Sequence, residues 1–379
     1  MKICYVTTLS VSIKAFFVPQ LKYLSENGYE VSVICSPDDS LAEILGEKIR
    51  YIPVAMPRGI DLFGSLRAIK ELKRIFREES FDLIQYSTPN AAFYASIAAK
   101  SVGCAVRNYH LMGLRYLGER GIKRAILRFL EKAACKNSTH VECVSKSNLD
   151  LAEQEGLFPK GKGTVVWNGS SGGLDLVRFD VERRSEYRKE IRERLGIGED
   201  ELVFGFVGRI TRDKGVNELL SAFSGIEGAR LMMVGGVEGA EGLDKELYEA
   251  SLSDERIIYT GQVSDVEKYF SAMDTLVFPS YREGFGNVVM EAAAMGTPAI
   301  ISDIPGPIDA VKVGQTALSV LPKDEKALRF AMTQMADATT RESLASASAD
   351  FVRSAFDERI LLKHILDRKN ELLGVKTNE

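Results

Sequence analysis

Two glutamates, Glu283 and Glu291, stand on either side of a short loop that carries Gly284 and Gly286. The apolar run before them, Leu276 to Phe278, reads as a buried strand that stops at Pro279. The run after them, from about Asn287 to Met295, reads as a helix. A strand, a glycine loop and a helix start make an anion site, because the first helical amides lack internal partners and the macrodipole is positive there. Glycines at 284 and 286 let the backbone approach a ligand closely. A carboxylate on each side can accept hydrogen bonds from sugar hydroxyls. A diphosphate joined to neutral polyols describes a nucleotide sugar. The plainer alternative is a strand-loop-helix of any α/β protein with two surface glutamates.

A second stretch offers the matching charge. In Phe204-Gly205-Phe206-Val207-Gly208-Arg209 a buried strand ends at Gly208, and Arg209 leaves the sheet at its carboxyl edge. Lys214 precedes a helix that begins near Val216. Ligands of two-domain α/β proteins gather in the cleft at such edges. Arg209 presents a planar fork to phosphate oxygens, and Lys214 a compact charge. A pair of solvated loop cations is the plainer reading. Two cations and a helix start can stabilise a departing diphosphate without a metal. No D-x-D stands at a suitable strand end, and His110, His140 and His364 are the only histidines. We therefore expect no obligatory divalent ion and no cofactor.

The run Val277–Ala292 resembles the E-x7-E signature of glycosyltransferase family 4, retaining enzymes of the GT-B fold. Ala293-Ala294-Met295-Gly296-Thr297-Pro298 continues the likeness, and Val207-Gly208-Arg209 with Lys214-Gly215 resembles the family's V-G-R-x-x-x-x-K-G. The resemblance covers nearly the whole chain and is best over Leu202–Asp309. It implies that Arg209 and Lys214 hold the donor diphosphate and that Glu283 lies beside the transferred sugar. It also implies that Glu291 accepts from the ribose. The Phe285 and Gly286 amides, with Gly284 and Asn287, would face the diphosphate, and Gly261-Gln262 would lie near the base. Relatives often place a histidine immediately before the glycine that is Gly113 here. This chain has Met112 there and His110 two residues earlier, so His110 is either a sugar contact or a packed strand-end histidine.

The elements that must position these residues alternate. Strand candidates are Ile3–Thr7, Val31–Cys35, Leu83–Tyr86, Ala105–Tyr109 and Val141–Val144, with helical periods between them. A second series, at Leu202–Val207, Leu231–Val234, Ile257–Tyr259, Thr275–Phe278 and Ala299–Ser302, follows a glycine- and serine-rich break near Asn168–Asp180. Such alternation predicts an α/β protein of two doubly wound, Rossmann-like domains facing across a cleft. Their expected spans are residues 1–168 and 169–356. The first helix is expected as one piece, Ile13–Glu26, and Asp180–Arg194 as a solvated helix. In GT-B enzymes the last helix, here Asp357–Leu373, crosses back to the first domain. Ile360, Leu361, His364, Ile365 and Leu372 make its plausible apolar stripe. No G-x-G-x-x-G follows the first strand, which weakens a dehydrogenase reading.

The 379 residues suffice for two domains, and 45% hydrophobic with 27% charged residues is a globular composition. No run approaches the ~18 apolar residues of a spanning helix. The N-terminus enters a strand directly, so a cytosolic protein is expected. Five dispersed cysteines are expected buried and reduced. The net charge of −4 is uneven, since Arg107–Lys136 holds eight Lys/Arg and two Glu. On the helix Gly121–Lys136, Ile122, Ala125, Ile126, Phe129, Leu130 and Ala133 form one arc and are expected against the sheet. Lys123, Arg124, Arg128 and Lys132 lie on the opposite arc without evident intrachain purpose. Leu66–Arg77 is basic as well. Both are either solvated faces or docking sites for anionic lipid at the inner membrane face. Nucleic acid fits poorly, because aromatics are not interleaved with the cations.

The reading that follows is a retaining transferase. A sugar passes from a nucleoside-diphosphate donor, with UDP expected, to a polyprenyl-diphosphate-linked saccharide. A nucleotide-sugar epimerase of the same fold, and a binding module without turnover, are the alternatives.

Overall fold

The computed structural model describes residues 1–375 apart from 58, 60, 240 and 241. The chain divides into two compact units. The first is Met1–Gly173 with the last helix, Glu358–Leu373; the second is Leu174–Asp357.

In the first unit the strands are β1 (Lys2–Val6), β2 (Glu30–Cys35), β3 (Ile49–Pro53), β4 (Leu83–Ser87), β5 (Val106–Leu111), β6 (His140–Cys143) and β7 (Gly163–Thr164). They form one parallel sheet in the order β3-β2-β1-β4-β5-β6-β7. The second unit has β8 (Leu202–Val207), β9 (Ala229–Val234), β10 (Ile257–Gly261), β11 (Thr275–Phe278), β12 (Ala299–Ser302) and β13 (Ala317–Val320). Its parallel order is β10-β9-β8-β11-β12-β13. In each sheet the order reverses beside the first strand, and ligands of open α/β sheets bind at the carboxyl ends of such strands. Central strands such as Phe204–Val207 are buried on both faces, which is why they are unbroken apolar runs. The five cysteines are free and buried.

The expected helix Ile13–Glu26 is two helices, Ser10–Phe16 and Val18–Glu26. Pro19 sits in the first turn of the second, where its missing N–H costs nothing; inside a longer helix it would break the ladder. The stretch after Asp180 is also corrected. Its helix, Arg184–Leu195, is not simply solvated, because Arg192 is only 3% exposed. The Arg192 guanidinium donates to the carbonyls of Ala272, Gly198, Glu199 and Glu201 and to Asp274 Oδ2. A cation with so many acceptors is a strut between elements rather than a solvent group.

The helix Gly121–Asn137 turns the other way from its expected phase. Glu131, Ala134 and Cys135 are buried, while Ile122 is 80% and Phe129 66% exposed. The Tyr109 hydroxyl donates to Glu131, so a carboxylate belongs to the inner face, which hydrophobic periodicity assigns to solvent. The cations also have intrachain partners. Lys123 pairs with Glu119 at 2.6 Å, and Arg124 and Arg128 reach Glu155 at 3.6 and 3.1 Å. In the last helix Leu361, Leu362, Ile365 and Lys369 are buried, whereas Ile360 is exposed and His364 stacks on Trp167 at 5.5 Å.

Candidate functional site

In the second unit β8 and β11 are neighbours, so their carboxyl ends open side by side. Arg209 follows β8, and a tight turn, Arg212–Lys214, leads to Gly215 and the helix Val216–Ser224. Gly215 has φ +72°, and a Cβ there would lie 2.1 Å from the Pro279 carbonyl oxygen. The Tyr281 amide donates to the Asp213 carbonyl at 2.9 Å. The turn after β8 is thus locked to the exit of β11. That lock places the Lys214 ammonium 2.5 Å from Glu283 Oε1, though 69 residues separate them in the chain. The two side chains are 16% and 17% exposed. The pair is therefore shielded but still reached by solvent.

Arg209 is more solvated. It pairs with Glu238 at 3.2 Å and lies 4.0 Å from Asp213. Burial would raise the Asp213 carboxyl, but a bond from Thr211 and the cations Lys214, Arg209 and Arg282 hold it below its usual range. Lys214, Arg209 and Arg282 thus share this edge with Asp213, Glu238 and Glu283, three cations against three carboxylates.

The helix Asn287–Ala294 starts at Gly286, which has φ +144° and a virtual Cβ 3.1 Å from Pro307 Cα. Only glycine enters that turn without strain. As the cap residue it brings no side chain of its own to the helix start. The Phe285 ring is not a ligand surface: it is 5% exposed and packs edge-on against Phe356 at 5.3 Å. One turn further on, burial pushes the Glu291 carboxyl up to about 7, against the attraction of Arg178 and with the repulsion of Glu267. Gly261 and Gln262 stand exposed at the end of β10, two strands away from β8.

His110 belongs to the first unit, at the end of β5. Its Nε2 lies 3.3 Å from Ser171 Oγ, its Nδ1 4.0 Å from Glu142 Oε2, and its ring meets Phe17 edge-on. Sequence reasoning missed what stands behind it. Glu142, on β6, is 2% exposed and accepts from Lys369 Nζ at 2.9 and 3.1 Å and from Arg368 Nε at 3.4 Å. The available signal was a glutamate inside an apolar strand and a lysine in phase with Leu361, Leu362 and Ile365.

The site can thus present two cations and the amides of a helix start to a dianion, with one carboxylate on each side of the loop. If Glu291 must be ionised to accept from a ribose, nucleotide affinity follows its titration. The carboxyl ionises as pH rises through about 7, so UDP should bind roughly tenfold more weakly at pH 6 than at pH 8. Calorimetry across that range should show the trend and a proton released on binding. Glu291→Gln should flatten it; a wild-type profile already flat would remove Glu291 from the nucleotide site. The fold feels the opposite slope. An unfolded glutamate ionises near ~4.3, so this half-buried carboxyl weakens the folded state as pH climbs from there to about 7.

Known proteins share the family and the fold. The Glycosyl transferases group 1 family model matches residues 187–349, and the Glycosyltransferase Family 4 model matches residues 20–170. The capsular polysaccharide biosynthesis glycosyltransferase CapM of Staphylococcus aureus is 29% identical over 98% of this chain and 97% of its own length. The N,N'-diacetylbacillosaminyl-diphospho-undecaprenol alpha-1,3-N-acetylgalactosaminyltransferase of Campylobacter jejuni is 26% identical over 97% of each. Among solved structures, Anabaena HepE in complex with UDP superposes with a TM-score of 0.79 at 18% identity, over 98% of this chain and 100% of that one.

Proposed function

We propose, from the premise that this chain belongs to the group 1 and family 4 glycosyltransferases of the GT-B fold, a specific transfer. A sugar passes with retention from UDP to a hydroxyl of a polyprenyl-diphosphate-linked saccharide, in capsule, O-antigen or glycan assembly at the inner face of the cytoplasmic membrane. The observation that carries this reading is the Lys214–Glu283 pair. It joins the cation turn after β8 to the glycine loop after β11, in one shielded spot. The relatives' names support the finer terms. One is a capsule enzyme, and the other's name gives a diphospho-undecaprenol saccharide as acceptor. The donor base is supported by Anabaena HepE, which was solved with UDP bound. The comparisons give the epimerase and the binding module no support.

In the proposed reaction Lys214 and Arg209 take the growing charge on the departing diphosphate, and the amides after Gly286 add the helix dipole. The bond from the anomeric carbon to the phosphate oxygen breaks. The acceptor oxygen bonds that carbon on the same face, and its proton goes to the leaving diphosphate. Glu283 stands by the transferred sugar. No protein base is needed for that proton, so His110 can be a sugar contact or a packed histidine without changing the scheme.

Mass spectrometry of products from a panel of nucleotide sugars and a membrane lipid extract tests the reading. A lipid-linked product grown by one sugar is expected. Sugar epimerised without acceptor, or UDP bound without any turnover, would replace it. In the same assay EDTA should leave the rate within about twofold, because two cations and the helix start hold the diphosphate. Loss restored by magnesium or manganese would put a metal in the mechanism.

A further inference from the structure

We propose that two helices of the first unit, Leu62–Glu79 and Gly121–Asn137, form a face that docks on an anionic phospholipid bilayer, apolar tips entering it and cations meeting its headgroups. The lipid-linked acceptor proposed above gives this its biological sense. The surface itself carries the argument.

Leu62, Phe63 and Leu66 are 74%, 88% and 66% exposed, all within two turns of the start of their helix. At 100° per residue they share an arc with Arg67, Lys70, Lys73 and Arg77 further along. Those four cations make no ion pair among the described residues, whereas Arg74 is held by Glu71 and Glu78. The inner face is ordinary core: Ala68, Leu72, Ile75 and Phe76. The second helix repeats the pattern. Ile122 and Phe129 are exposed, and at 100° per residue the exposed Lys132 and Lys136 lie on their side of the helix rather than opposite it as expected, again without an ion pair among the described residues.

Both helices pack on the one between them, Pro89–Ser101. Each is a crossover between parallel strands, so each starts at the carboxyl edge of the sheet. The apolar tips therefore lie at one end of the unit, and the cations run back from it. Single exposed apolar residues are normal; several large ones at one end are not. Lysine is depleted from the core of protein interfaces, whereas an apolar tip beside free cations suits a headgroup layer. No helix among the described residues is long and apolar enough to cross a membrane, so this contact is one of lying on or dipping in. Lys123, Arg124 and Arg128 already pair with Glu119 and Glu155 within the chain and are not the docking cations.

Co-sedimentation of the whole chain with phosphatidylcholine vesicles, with and without phosphatidylglycerol, at low and high salt, tests the proposal. The wild type should bind the anionic vesicles. Arg67→Gln/Lys70→Gln/Lys73→Gln/Arg77→Gln should bind on the order of a hundredfold more weakly, with the salt dependence largely gone. Phe63→Ser/Leu66→Ser/Ile122→Ser should keep the salt-dependent attraction and lose the salt-resistant part. Lys123→Gln/Arg124→Gln/Arg128→Gln should stay near wild type. Coincident thermal unfolding of all variants checks the fold. Sedimentation of the first two variants like wild type would overturn the proposal. So would loss confined to the third, or equal loss of transfer by the first to a water-soluble and a lipid-linked acceptor. The vesicles hold no acceptor, so the outcome is independent of the transferase reading. A chain that transfers sugar but never sediments defeats this proposal alone; one that sediments without transferring defeats only the other.

Discussion

Glu283→Gln is expected to lower transfer by at least about a hundredfold while UDP binds as well as before, or tighter. The substitution keeps the shape of the side chain and removes its charge. That charge sits 2.5 Å from the Lys214 ammonium, the group proposed to hold the diphosphate. A nucleotide must therefore share or displace the carboxylate. Its removal frees Lys214 for phosphate and should not weaken UDP, which has no sugar for Glu283 to touch. The loss should fall on kcat, because charge at the anomeric centre develops only in the transition state. Turnover and UDP calorimetry on one preparation separate the cases. Near-normal turnover would take Glu283 out of the reaction. Collapse of UDP binding would make it a support for Lys214 and no more.

The second large effect is on stability. Lys369→Ala should cost the first unit about 3–5 kcal/mol at pH 7, the range for a buried pair that loses one partner. Lys369 is 1% and Glu142 2% exposed, so the stranded carboxylate cannot recruit bulk water. Burial alone would push Glu142 up; Lys369 and His110 hold it well below the usual carboxylate range instead. The sign follows. With its folded pKa depressed, Glu142 stabilises the wild type above the unfolded value of ~4.3, and that contribution fades as pH falls toward the folded value. In the variant the stranded carboxyl should rise and protonate more easily. The gap between the two proteins should thus be widest near neutrality and narrow by about pH 4. Glu142→Gln/Lys369→Met should recover much of the loss. Denaturant melts at two pH values decide it; a gap below about 1 kcal/mol at pH 7 would mean that Arg368 alone satisfies Glu142.

How far the chain could be read in advance depended on where each residue lies. The central strands of the second unit were legible because burial on both faces leaves mostly apolar side chains, as in Leu276–Phe278. The edge strands β3 and β13 escaped, being half-solvated, with Arg50 and Pro53 interrupting the first. Periodicity placed Gly121–Asn137 on the wrong face because it counts Ile122 and Phe129 as core and Glu131 as surface. The buried charges at Arg192, Glu142 and Lys369 were invisible for a related reason. A charge can be buried when its partner arrives from another element, and local sequence does not record the partner. At the candidate site, residue types and the glycine loop suggested an anion. Only the resemblance joined Lys214 to Glu283, and their roles remain proposals for the variants above.

The first unit begins and ends the chain, with the second inserted before its last helix. That order has a consequence in time. During synthesis the seven strands of the first sheet are complete once Thr164 has been added. Glu142 must then wait through 227 positions for the lysine that neutralises it. Leu361 and Ile365, which close the core around Ile3, Tyr5 and Leu21, arrive equally late. The inserted unit is contiguous, and its own six strands need nothing from beyond Asp357. It can therefore close first, while the earlier-made sheet waits with an apolar groove open and a carboxylate uncompensated. Domains usually mature from the N-terminus onward. Here the half made first is finished last, and a nascent chain interrupted before Lys369 carries a good second unit and an unsealed first one.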